Sequence, residues 1–172
     1  MIQICDRAYH KNTDTYTMSE IGIPGIVLME RAAHTLALQS LRCNRGEPHA
    51  ILSVCGSGNN GGDGIAAARI LYQMGYGCDI LLLRGNHGLT ELTEQQLDIA
   101  KKVGVTVYET EDDRFPEISS YEVIIDAIFG IGLSKDISEP YLSVIERINS
   151  SGAYVVSADI PAGIDTDTGA VL

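Results

Sequence analysis

Along the chain, short runs of almost wholly apolar residues alternate with longer stretches in which apolar side chains return every three or four positions. From Gly25, the spacing of Leu28, Met29, Ala32, Ala33, Leu36, Ala37 and Leu41 predicts an amphipathic helix, and Gly22-Ile23-Pro24 supplies the turn before it. Strands are predicted at 51–55, 78–83, 105–108, 123–129 and 153–158, and helices at 65–74, 90–103 and 141–148. The first twenty residues are of mixed polarity and read as an arm or short helix. Nearly continuous apolar strands that alternate with helices imply a parallel sheet shielded on both faces. The pattern therefore predicts a Rossmann-like three-layer αβα sandwich with a mostly parallel, doubly wound sheet, in which every strand-to-helix loop emerges at one edge.

One such loop is unusual. Gly56-Ser57-Gly58-Asn59-Asn60-Gly61-Gly62-Asp63-Gly64 joins the first strand to its helix, and its five glycines read as a turn of positive φ that brings backbone N–H groups against a ligand. Taken singly, its residues have ordinary uses: the asparagines in turn formation, Asp63 as the cap of a helix starting at Ile65. The formal match to GxGxxG admits a dehydrogenase, but Asp79 opens the second strand and Arg84 follows it, where a ribose-binding acid would be expected at the strand's end. No GxxxxGK[ST] pattern supports an ATPase.

Two further strand ends carry carboxylates. Asp126 interrupts the apolar run 123–129, where an unpaired charge would cost several kcal/mol, roughly, so it needs donors or a cation. Backbone N–H groups and a hard cation shared with an asparagine carbonyl satisfy that need equally well. Asp159, followed by Ile160-Pro161, projects from an extended strand end and suits a general acid or base. Its ordinary reading is a turn closed by Gly163.

Composition narrows the choices. The 172 residues, 45% hydrophobic and 20% charged, suffice for one domain spanning 1–172 with a real core. A formal charge of −11 disfavours nucleic acid and anionic membranes, and leaves any bound polyanion to backbone N–H groups, helix N-termini or a cation. No apolar stretch is long enough to span a bilayer and no signal segment precedes the domain, so a cytoplasmic protein is expected. Cys5, Cys43, Cys55 and Cys78 lack metal or redox spacing and read as free thiols, with Cys55 and Cys78 as buried strand residues. His10, His34, His49 and His87 share no spacing, and Ser53, Ser57 and Ser157 lack the GxSxG elbow. The run Glu109–Asp113 reads as a solvated loop, and Arg84 as a candidate for a 2′-phosphate.

Four segments in order carry a specific resemblance: Gly22-Ile23-Pro24 with Leu28-Met29-Glu30-Arg31-Ala32; Gly58-Asn59-Asn60-Gly61-Gly62-Asp63-Gly64; Asp126-Ala127-Ile128-Phe129-Gly130-Ile131-Gly132-Leu133; and Asp159-Ile160-Pro161-Ala162-Gly163-Ile164-Asp165. In these the chain resembles the NAD(P)H-hydrate epimerases. The resemblance implies interconversion of the R and S hydrates of NADH and NADPH (NADHX and NADPHX), which supplies the S form to a dehydratase in cofactor repair. It implies a potassium ion on Asn60, Asp126 and Ala162, where the family usually has Ser at the last position. It implies substrate contacts from Asn59, Asn60, Gly61, Gly62, Asp63, Gly130, Ile131, Gly132, Leu133, Ser134, Lys135, Asp136, Tyr141 and Asp159, with Asp159 as catalyst. A homodimer, a domain that stops short of the family's carboxyl end, and a downstream dehydratase domain or protein are further expectations. The alternative is a non-catalytic nucleotide-binding or scaffolding domain of the same fold.

Overall fold

The computed structural model describes residues 6–42, 50–84, 88–109 and 115–172. Cys5, Cys43, His49, His87 and residues 110–113 of the acidic run lie outside them. Helix α1 (Arg7–Ser19) and helix α2 (Gly25–Ser40) precede strand β1 (Ile51–Cys55), which leads into α3 (Asn59–Gln73). There follow β2 (Cys78–Leu82), α4 (Glu91–Val103), β3 (Thr106–Glu109), β4 (Val123–Ala127), α5 (Tyr141–Ser150) and β5 (Tyr154–Ser157). All strand pairings are parallel, in the order β3-β2-β1-β4-β5. Because the order reverses between β1 and β4, their carboxyl ends flank a crevice of the kind where doubly wound sheets bind ligands.

Period-two alternation divides the core into two layers. Ile51, Cys55, Val123, Ile125 and Ala127 face a cluster built with α2, α3 and α4, while Leu52, Val54, Ile124 and Ile128 face α5. Fully buried Ile65 and Leu71 hold α3 to the sheet, each worth about 1.5–3 kcal/mol of transfer free energy. The helices cover both faces, as the apolar runs require. The two edge strands, β3 and β5, are less covered, and in β5 Tyr154 and Val155 remain 43% and 40% exposed. Ala32, counted among the apolar positions of α2, is also exposed.

The glycine segment differs most from its sequence reading. Helix α3 begins at Asn59 with Gly58 as its N-cap, so Asp63 lies inside the helix instead of capping it, and none of the five glycines has positive φ. Gly56, Gly61, Gly62 and Gly64 are there for close approach, whereas the N-cap Gly58 faces open space. A Cβ on Gly61 would lie 1.9 Å from the Gly56 carbonyl oxygen, one on Gly56 would lie 2.1 Å from that of Ile128, and one on Gly64 would lie 2.4 Å from Ala127 Cβ. Low glycine helix propensity made these residues read as loop, and tight packing of the helix on β1 and β4 overrides it. We expect Gly64→Ala to lower the unfolding free energy by ~2 kcal/mol through overpacking against Ala127 and Cys55. Urea unfolding measures this, and an unchanged midpoint would contradict the packing account.

Elsewhere the limits move by a few residues. Strand β4 stops at Ala127, leaving Ile128 and Phe129 in the connection that follows, and α5 extends to Ser150. Glu109 is not solvated loop: it ends β3 and accepts both Nε (2.6 Å) and a terminal nitrogen (3.2 Å) of Arg84. That ion pair holds the guanidinium assigned to a 2′-phosphate. Cys55 and Cys78 are buried free thiols, and burial pushes Cys55 up to about 12 and Cys78 higher, so both are inert. His10 and His34 are exposed. Among the described residues no helix is long and apolar enough to cross a membrane.

Candidate active site

Helix α3 starts four residues after β1, which places its first turn at the carboxyl rim of the sheet. The first intrahelical bond there is Gly62 N–H to the Gly58 carbonyl, at 3.2 Å. Helical geometry thus leaves the N–H groups of Asn59, Asn60 and Gly61 without intrahelical acceptors, at the positive end of the helix dipole. Thr93 Oγ1 ties this turn to α4 by donating to the Gly58 carbonyl (2.9 Å), and Thr90 Oγ1 donates to Asn59 Oδ1 (2.7 Å).

Asn60 is the anomaly. Both polar atoms of its amide are buried and have no hydrogen-bond partner, a state that costs about 1–3 kcal/mol per group unless something else meets them. Gly130 packs on this amide: a Cβ there would lie 3.2 Å from Asn60 Cβ and 2.8 Å from Asp159 Oδ2. Asn60, Gly130 and Asp159 therefore meet, although they follow three different strands. Asp159 Oδ2 accepts the Ile131 N–H at 2.8 Å, which joins the end of β5 to the turn after β4.

Asp126, 5% exposed, sits one strand in from the edge. Its Oδ2 accepts the Ala162 N–H (2.8 Å) and the hydroxyl of its cross-strand neighbour Ser157 (3.1 Å), and its Oδ1 accepts the Ile128 N–H (3.3 Å). Burial pushes its pKa up, and these three donors pull it back. Backbone donors thus satisfy part of the need read from the sequence, and the Asn60 amide remains unmet.

Asp63, one turn beyond Asn60 on α3, lines a cleft of about 640 Å³ with Asn59, Asp14 and Met18 of α1, Arg31 of α2 and Ala158. Burial, then the negative charges of Asp159 and Asp14, raise its pKa to about 7. Of the other expected contacts, Leu133 closes a turn on the Gly130 carbonyl (3.1 Å), while Ser134, Lys135 and Asp136 are exposed on the connection to α5 and take no part in this network. Tyr141 is half-buried, with its ring tilted against Phe129 at 4.8 Å on the α5 side. Sequence reasoning did not find Asp14, Met18 or Ser157. A stripe along α1, and the register of Ser157 opposite Asp126, were the available signals.

Strand order, rim position and an amide-and-acid cluster at the reversal of the sheet define a doubly wound α/β protein whose candidate site lies where such sheets bind ligands. Asp79, the acid nearest a dehydrogenase's ribose position in sequence, lies at the start of β2 and accepts the Tyr121 hydroxyl at 2.8 Å, which separates the site from that class. Residues 25–172 match the family model described as YjeF-related protein N-terminus. Over 171 residues the chain is 39% identical to the NAD(P)H-hydrate epimerase of Oenococcus oeni, covering 99% of this chain and 79% of that protein. It is 36% identical over 166 residues to a bifunctional NAD(P)H-hydrate repair enzyme of Thermofilum pendens, covering 94% of this chain and 32% of that one. The crystal structure of the yeast protein ynu0 superposes with a TM-score of 0.86 at 26% identity, covering 99% of this chain and 75% of that one. The chain belongs to the YjeF-related N-terminal family, that of the NAD(P)H-hydrate epimerases.

Proposed function

We propose that this chain is an isomerase that interconverts the R and S hydrates of NADH and NADPH at the cluster of Asn60, Gly130 and Asp159. The observation that carries the assignment to this site is the buried, unpartnered Asn60 amide beside Asp159 at the crevice of the sheet. It is supported by relatives named for this activity at 39% and 41% identity.

The hydrate carries a hydroxyl at C6 of the nicotinamide ring. Asp159 protonates that hydroxyl as it departs, and the ring-nitrogen lone pair stabilises the planar iminium left behind. Water then adds to either face and returns its proton to the carboxylate, so one group serves both directions. The Ile131 N–H fixes Asp159 Oδ2, which leaves Oδ1 for the substrate. First-turn N–H groups of α3 suit the diphosphate, a need sharpened by a net charge of −11. Asn59 and Asp63 give the cleft two polar tips.

Potassium fits the donor set. Asn60 Oδ1 is a buried carbonyl oxygen that accepts nothing, Asp126 is a buried carboxylate, and Ala162, which has no side-chain oxygen, would have to contribute its main-chain carbonyl. Such a cation, when bound, supplies a fixed positive charge at the rim, and hard oxygen donors are what it takes. In this reading the S hydrate passes to a dehydratase, present as a separate protein or domain, and the epimerase works as a homodimer.

Supplying purified R hydrate and resolving R from S by chiral chromatography tests the assignment, in potassium and in sodium buffers. We expect enzyme-dependent appearance of S hydrate, faster in potassium. A rate equal to the uncatalysed one in both buffers would overturn the function, and equal acceleration in both would overturn the potassium site alone.

A further inference from the structure

Asp165, the last residue of the segment Asp159-Ile160-Pro161-Ala162-Gly163-Ile164-Asp165, has no part in the chemistry above. Its two oxygens do different things. Oδ1 accepts the Asp167 N–H (3.2 Å), the Thr168 N–H (2.9 Å) and the Thr168 hydroxyl (2.7 Å), closing a turn. Oδ2 accepts a terminal N–H of Arg7 at 2.8 Å, 158 residues away in sequence. The Arg7 main-chain N–H donates to Asp167 Oδ1 at 3.0 Å, and its Nε stands 3.8 Å from Asp167 Oδ2. Arg7 thus holds both carboxylates through main chain and side chain together. The Arg7 and Asp165 side chains are only 24% and 17% exposed, so this pair is better shielded than a freely solvated one.

The turn that Arg7 grips is continuous with the site. An Ile164–Val171 bridge, Asp165 N–H to the Ala170 carbonyl (2.8 Å) and Leu172 N–H to the Gly163 carbonyl (2.8 Å) make residues 163–172 a small closed unit. At its start Ala162 donates to Asp126, and three residues earlier Asp159 accepts from Ile131. Helix α1 buries no residue of its own, so little apolar packing holds it in place. Arg7, Asp14 and Met18, at spacings of seven and four, lie along one face of it. Asp14 and Met18 of that face line the cleft beside Asp63, and Met18 reaches the start of α2 at Gly25.

We propose that Arg7 is a positioning residue: clasped to Asp165 and Asp167, it fixes both the turn that follows Asp159 and Ala162 and the α1 wall of the cleft that Asp63 lines. This rests on the site assignment made above. Released at that end, α1 would leave the cleft open along the side bearing Asp14, and the 159–165 segment would lose its tie to the amino-terminal helix.

The test compares Arg7→Ala, Arg7→Lys and the wild-type protein by steady-state epimerisation and by amide hydrogen exchange resolved over residues 159–172. For Arg7→Ala we expect KM to rise about tenfold, a larger change than in kcat, because the substrate loses a formed cleft wall. Exchange across 159–172 should quicken about tenfold while the sheet strands keep their protection. Both variants keep the main-chain donor to Asp167, and Arg7→Lys also keeps a side-chain charge for Asp165, so it should restore KM to within about threefold of wild type. A merely structural residue would lower the active fraction, and so apparent kcat, without moving KM. Unchanged KM in Arg7→Ala would overturn the proposal, as would exchange over 159–172 equal to wild type. If the wild-type protein epimerises nothing, the assigned function fails, and the exchange measurement still decides whether Arg7 holds the turn.

Discussion

Asp159→Asn should lower kcat for epimerisation by about 10²–10³ while leaving substrate affinity within about threefold of wild type. An amide oxygen can still accept the Ile131 N–H that Asp159 Oδ2 accepts at 2.8 Å, so the turn keeps its shape. What disappears is the group proposed to give a proton to the departing hydroxyl and to take one from the incoming water. Because a catalyst leaves the R–S equilibrium unchanged, kcat/KM in the two directions should fall by the same factor. Measuring R-to-S and S-to-R conversion separately checks this. Wild-type rates in both directions would remove Asp159 from the mechanism.

The second large effect concerns stability and pH. Asp63 has an ordinary pKa of 3.8 and is raised to about 7 by burial first and then by the charges of Asp159 and Asp14. A raised folded-state value means that the folded protein holds this proton more tightly than the unfolded chain does. The resulting stabilisation is complete below about pH 4 and is lost as pH rises through about 7. At about 1.4 kcal/mol per tenfold change in affinity, the whole difference would reach ~4 kcal/mol, and partial solvation of the cleft reduces it to ~2 kcal/mol. Asp63→Asn removes this dependence, so the variant should be more stable than wild type by ~2 kcal/mol at pH 8 and about equal to it at pH 4. Urea unfolding at both values decides it, and parallel pH profiles for the two proteins would refute the buried-carboxyl account.

The architecture was legible because its signals were redundant. Val123-Ile124-Ile125 and Ile80-Leu81-Leu82 are too apolar for any strand but one covered on both sides, and each is followed or preceded by a helical period. Asp126 was legible for the opposite reason, as a charge in a place where charge is costly, and the structure gives it three donors. The first turns of α3 were not legible. Gly61, Gly62 and Gly64 are poor helix formers, and only tertiary contacts, with the Gly56 carbonyl nearby and with Met29, Thr93 and Ala127 from distant segments, show why a side chain there is disfavoured. Likewise Arg7 and Asp165 lie 158 residues apart, and no local pattern announces a pairing across that separation. Strand β5 misled in a third way, since Tyr154 and Val155 have the composition of a covered strand but lie at an edge.

The absence of slack between β1 and α3 bears on how a ligand is received. With Gly61 pressed against Gly56 and Gly56 against Ile128, the chain turns from strand into helix with no adjustable loop between them. If the proposed placement of the nucleotide is right, the dipolar end of α3 is already in its receiving orientation before the ligand arrives. On that placement, association subtracts little entropy for ordering this backbone, and affinity for the proposed diphosphate contact reflects the attraction itself more than the cost of arranging it.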